Sequence, residues 1–157
     1  MEFISVVLAG VLIFVLGQMI LKLFIEPVQQ FKKTMAEIAH TSVCYSHAIH
    51  NADLMPKELR DEVYHKLRHL SGQLYADMEL IPLFPYPVLR LFFQLPQRTQ
   101  IYKTAQHLIA VGNWMRSSSQ HKFDNIVGEM QDACDSLGLY THPNDRIPDE
   151  HLQRFRR

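Results

Sequence analysis

Hydrophobic positions along the chain fall into two regimes. From Phe3 to Leu21 every residue is apolar or glycine except Ser5 and Gln18. At about 1.5 Å of rise per residue this run covers the roughly 30 Å hydrocarbon core of a bilayer. Beyond it, apolar residues recur at steps of three and four, as in helices that bury one face. The pattern predicts an all-α chain: one N-terminal transmembrane helix followed by an antiparallel helical bundle of about four to five helices.

Lys22 can snorkel, so Leu23, Phe24 and Ile25 extend the apolar span. A cleaved signal peptide would call for a basic leader, a shorter apolar stretch and a small-residue cleavage site, and this segment offers none of them. The one charged side chain before the span is Glu2, whereas Lys22, Lys32 and Lys33 follow it. That asymmetry places the N-terminus outside and the C-terminus in the cytoplasm. Gly10 and Gly17 lie seven residues apart on one helix face, a candidate packing face for a homo-oligomer, with Gln18 beside them.

The chain divides into an anchor (1–26), a cytoplasmic helical bundle (27–140), and a polar loop with a short C-terminal helix (141–157). Glu26-Pro27 predicts a break or kink, because proline disfavours helical geometry in the residue before it. A helix of about 23 residues then follows from the spacing of Val28, Phe31, Met35, Ile38, Ser42, Tyr45 and Ile49. Pro56-Lys57-Glu58 opens the next helix, with Leu59, Val63, Leu67, Leu70, Leu74, Met78 and Ile81 inward, folding back as a hairpin. Prolines 82, 85, 87 and 96 leave room only for a short helix from about Pro87 to Gln94. Two more helices complete the bundle. One runs from about Gln97 to Met115, with Ile101, Ala105, Leu108, Ile109, Gly112 and Met115 inward. The other carries Phe123, Ile126, Val127, Met130, Ala133, Cys134 and Leu137, and Gly138 stands where a left-handed cap belongs.

Composition narrows the function classes. Sixteen basic residues balance sixteen acidic ones in 157, interspersed along the chain, so no nucleic-acid footprint is expected. Cys44 and Cys134 show no metal or redox spacing, and free thiols in a reducing compartment are expected. Among nine histidines, His40 and Cys44 are one turn apart, and His65 and His69 are spaced to present two imidazoles together. In a hairpin these four come level, the makings of a zinc site. Their stripes nevertheless point some ~130–170° away from the apolar stripes, so convergence on one ion is not expected. No phosphate-binding glycine loop, H-E-x-x-H or G-x-S-x-G is present, and pairs such as His50–Asp53 or His69–Asp77 arise by chance in a histidine-rich helical chain. No catalytic residue and no cofactor is assigned.

The proline-broken stretch Ile81–Pro96 stays strongly apolar. Phe84, Tyr86, Arg90, Phe92 and Phe93 have the aromatic-plus-basic character of a contact with a membrane interface or a protein partner. The plainer reading is a buried connector whose aromatics plug one end of the bundle.

Ile25-Glu26-Pro27-Val28-Gln29, Leu67-Arg68-His69-Leu70-Ser71, Ile81-Pro82 and Leu108-Ile109 together resemble a set of small, uncharacterised bacterial single-pass membrane proteins. The resemblance implies an inner-membrane location and a helical cytoplasmic domain; it implies no catalytic residue or ligand. The expectation is a membrane-anchored interaction module, a tether or regulatory subunit with the lipid bilayer and an unidentified protein as partners. An oligomerising membrane-perturbing effector and a metal or thiol sensor centred on Cys44 are the alternatives.

Overall fold

A computed structural model of the chain describes residues 2–52, 54–117, 122–139 and 146. Among these residues the fold is all-α, with no strand. Helix α1 (Glu2–Ile20) passes through a π-helical segment (Leu21–Ile25) into α2 (Glu26–Cys44). Phe3–Cys44 is thus one continuous 42-residue helix. Of the break or kink expected at Glu26-Pro27, the break does not occur, and the helix instead departs from α geometry just before the proline. Proline cannot donate a backbone hydrogen bond, and in an α-helix its ring would collide with the carbonyl four residues earlier. The π segment widens the turn just before Pro27, with the Glu26 amide reaching back five residues to the Leu21 carbonyl, so the helix carries the proline without stopping.

The two halves of this helix live in different surroundings. In α1, Phe3–Ile20 are exposed throughout, whereas α2 buries Val28, Phe31, Thr34, Ile38 and Thr41. At Tyr45 the helix leaves α geometry (φ −101°, ψ 12°) and resumes as α3 (Ser46–His50). The single helix of about 23 residues expected here is therefore two pieces. The Tyr45 hydroxyl donates to Glu62 at 2.7 Å, while Ala48 and Ile49 turn into the core.

Helix α4 (Lys57–Leu80) returns antiparallel to α2 and buries Val63, Leu67, Leu70, Leu74 and Met78 as the periodicity predicts. Residue numbers run in opposite directions across the pair: Thr34 donates to Asp77, Lys66 pairs with Glu37, and Tyr45 meets Glu62. Helix α5 (Tyr86–Phe93) is the short helix the prolines allow. Helix α6 (Arg98–Arg116) begins at a capping box in which Gln97 and Gln100 satisfy each other's free amides. It packs on α4 and on α7 (Lys122–Leu137). Ser71 donates to the Ala105 carbonyl at 2.8 Å, stitching α4 to α6. Gly112 lets the two helices close, since a methyl group there would lie 3.1 Å from the Tyr64 ring. Ile109, expected inward, is 37% exposed: it sits at the rim of the α4–α6 contact, beside Tyr64 and Arg68, while Leu108 is fully buried.

Helix α7 ends as Gly138 predicts. Gly138 has φ +67°, its amide bonds to Asp135 at 3.0 Å, and the Leu139 amide bonds to Cys134 at 2.9 Å, the paired bonds of a Schellman cap. Arg146 pairs with Asp135. The expected loop Thr141–Asp145 and the short C-terminal helix from Pro148, like the side chain of Phe123, lie outside the described residues.

Candidate functional site

The end of the bundle around α5 is organised by Arg98. Its guanidinium donates to the carbonyls of Met78 at 2.9 Å and Ile81 at 3.0 Å, adding a second donor at Met78, which already accepts from the Ile81 amide, and supplying one at Ile81 just past the end of α4. The same group lies 5.2 Å from the centre of the Tyr86 ring, close enough for a cation–π contact. Tyr86 in turn donates to the Pro96 carbonyl at 2.6 Å, closing the loop that contains α5. Burial pushes the Tyr86 hydroxyl above its ordinary pKa, so it stays a donor. Gln94 holds a left-handed backbone (φ 53°), and the Leu95 amide returns to the Arg90 carbonyl at 3.1 Å, which stops α5 after two turns.

On this frame the five residues singled out from the sequence separate into two groups. Tyr86 is buried and Phe93 packs partly against the core. Tyr86 is thus an internal brace, not an outward contact, because its ring is held by Arg98 and its hydroxyl by Pro96. Phe84 and Phe92 point outward, and Arg90 is exposed beside them. The stretch is therefore not simply a buried connector. Leu83 and Leu91, not singled out from the sequence, are exposed as well. The helical period held the signal for Leu91: positions 88, 91 and 92 fall opposite 86, 89 and 93 on α5.

Antiparallel packing sets where this cluster lies. Thr34 of α2 meets Asp77 of α4, and Lys32 stands 6.0 Å from the Phe93 ring centre. Val28 is fully buried and Phe24 partly buried against the same core. The C-terminal end of α4, through Asp77, and the end of α5, through Phe93, therefore lie beside the first turns of α2, where the apolar N-terminal helix joins the bundle.

The histidines and cysteine considered for zinc are placed otherwise. His40 and Cys44 are neighbours on the exposed side of α2, with Nε2 3.2 Å from Sγ. His65 and His69 stand on the exposed side of α4. Among the described residues no group of three or more histidine, cysteine or acidic side chains is gathered as metal binding requires. Nor does His69 meet Asp77: the carboxylate is buried and takes its hydrogen bond from Thr34 at 2.5 Å. Asp53 and the His50 side chain lie outside the described residues.

Gly10 and Gly17 are open, with nothing within 4 Å of a methyl group placed on either. Phe3–Cys44 is long and apolar enough to cross a membrane, and its most apolar 18-residue stretch is 0% buried by the rest of the chain. Compared with known proteins, the chain matches no family model, no curated protein and no solved structure, so its function has to be read from its own residues.

Proposed function

We propose that this chain is a single-pass membrane protein of the bacterial inner membrane, N-terminus outside, whose cytoplasmic helical bundle binds another protein as a tether or regulatory subunit. The observation that carries the reading is the continuous helix Phe3–Cys44. Its first half presents apolar side chains to the surroundings on every face, which water does not tolerate over such a length. Its second half packs one face, Val28, Phe31, Thr34, Ile38 and Thr41, into the bundle. An unbroken helix through Pro27 couples the domain stiffly to the anchor, which suits a part that positions a partner at a fixed height above a bilayer. The orientation rests on Lys22, Lys32 and Lys33 following the span.

The test is affinity purification of tagged full-length protein from native membranes after brief crosslinking, with the co-purifying chains identified by mass spectrometry. The tether reading expects a stoichiometric second protein, and recovery of self-crosslinked chains alone would count against it. In that case the outward Leu83, Phe84, Leu91 and Phe92 favour a second reading, a self-assembling effector that perturbs the membrane. Induced expression would then collapse the membrane potential, and Gly10→Leu would abolish the effect.

A further inference from the structure

Helix α5 is apolar on both sides, and only one side is covered. Tyr86 and Leu89 are buried and Phe93 is partly packed, while Val88, Leu91 and Phe92 on the opposite side are 52%, 80% and 78% exposed. Leu80, Leu83 and Phe84, just before α5, are exposed to 62%, 73% and 89%. Arg90 is the one charged residue of this helix, and a helix so nearly hydrophobic all round is suited to a protein core or to lipid. An exposed cluster of this kind marks an interaction surface.

Its position names the occupant. The apolar N-terminal run closes at Ile25, with Glu26 the first carboxylate after it. Leu80 stands one turn beyond Asp77, hence roughly level with residue 31 of α2, about 9 Å past Ile25 at 1.5 Å per residue. That distance is close to the thickness of one headgroup layer, on the order of 5–8 Å, and an ordinary helix tilt of about 20° lowers one side of the bundle further. The helix runs from α1 through the π-helical turn into α2 without a loop, which keeps the cluster near the end of the anchor. Lys22, Lys32, Lys33 and Arg90 are exposed around it, with Glu26 and Glu79 the exposed acids of the same band, a basic excess suited to anionic headgroups.

The geometry points to α5 and the preceding loop as a second membrane contact: an interfacial element that seats Leu83, Phe84, Leu91 and Phe92 in the leaflet from which the anchor emerges. This rests on the anchor reading above and adds to it that the bundle lies against the bilayer instead of standing off it. The aromatic and aliphatic side chains take the acyl–headgroup boundary, while Arg90 and Lys32 reach phosphates.

The test uses full-length protein in vesicles of phosphatidylcholine with phosphatidylglycerol, carrying Cys44→Ser and one new cysteine at a time for an environment-sensitive fluorophore. The labelled variants are Ile13→Cys in the anchor, Leu83→Cys and Phe92→Cys in the cluster, and Leu54→Cys as an exposed apolar control at the other end of the domain. Lipids bearing a nitroxide near the headgroup should quench positions 83 and 92 several-fold more than position 54, and deep nitroxides should quench position 13. Adding Leu91→Glu should remove the quenching at position 83 while leaving the helical content unchanged. If position 13 is quenched and positions 83 and 92 behave like 54, the docking is wrong and the anchor stands; if position 13 is not quenched, both fail. A blue shift at 83 and 92 without nitroxide quenching would mean that protein covers the cluster, and also overturns the proposal.

Discussion

The outward faces of α4 and α5 belong to one domain and obey opposite rules. Along α4 the exposed positions include Glu62, His65, Arg68, His69 and Glu79, as expected of an amphipathic helix with its polar side in water. Along α5 they include Val88, Leu91 and Phe92. Both helices bury a good apolar stripe, so packing does not distinguish them. What differs is the character of the outer face, polar on α4 and apolar on α5, and the difference coincides with distance from the apolar N-terminal helix. The outside of a bundle thus carries information that its core does not.

The sharpest way to break this comparison is to truncate the two sides of α5 separately. In mild detergent, Leu89→Ala on the covered side should cost about 2–4 kcal/mol through lost burial and the cavity left behind. Phe92→Ala on the open side should stay within about 0.5 kcal/mol. Urea titration followed by fluorescence of the single tryptophan, Trp114, which packs against the core, would measure both. Equal costs would show that the outer side is packed after all.

Removing Arg98 comes next. Arg98→Ala takes the side-chain donor from the Ile81 carbonyl and the second donor from Met78, and frees the Tyr86 ring, with an expected loss of about 2 kcal/mol. Amide exchange should quicken in Tyr86–Phe93 while the middle of α4, from Val63 to Leu70, stays protected. Uniform quickening along both helices would show that Arg98 holds the whole bundle and not the α5 end alone.

Alkaline pH probes the α4 side. Tyr45 and Tyr102 donate to Glu62 and Glu79, and these hydrogen bonds raise both hydroxyls above their ordinary pKa. With folded values above unfolded ones, the stability they contribute is complete below pH about 10 and is lost as pH rises through the folded values. The urea midpoint should therefore fall as pH climbs past that point, and less steeply in Tyr45→Phe combined with Tyr102→Phe. An unchanged slope would mean that the two carboxylate bonds do not persist in solution.

A smaller gain is expected at Gln94, the left-handed residue that stops α5. Gln94→Gly should stabilise by up to about 1 kcal/mol, since glycine takes φ 53° without steric cost. Least of all, Lys66→Gln on α4 should cost well under 1 kcal/mol, because its pair with Glu37 is a third exposed on both sides. In that pair the Lys66 hydrogen bond lowers the Glu37 pKa, so whatever it contributes is present at neutral pH and lost on acidification through the folded value. Both small effects can be read from the same urea titrations.

Much of the fold was legible because it depends on local rules. The apolar run, the stripes of α4 and α6, the short helix between prolines and the glycine cap after α7 all follow from spacing and backbone preference. The candidate site was legible as a segment and not as a surface. Phe84, Tyr86, Phe92 and Phe93 look alike in a string of letters, and whether a ring faces in or out depended on Arg98, twelve residues beyond Tyr86 in sequence and beside it in space. Asp77 is a similar case: its position on the inner side of α4 is periodic, but its tolerance there depends on Thr34, a residue of another helix.

By itself, then, the sequence determined the all-α class, the N-terminal helix long enough for a bilayer, the direction of its flanking charge and the order of the bundle helices, since hydrophobic period and charge placement are properties of the chain alone. The tertiary structure decided that α2 would give way to α3 at Tyr45, whose hydroxyl meets Glu62 of α4, and that half of α5 would remain uncovered. Each of those outcomes depends on which neighbour is available to complete a hydrogen bond or cover a side chain, and neighbours distant in sequence are supplied only by the fold.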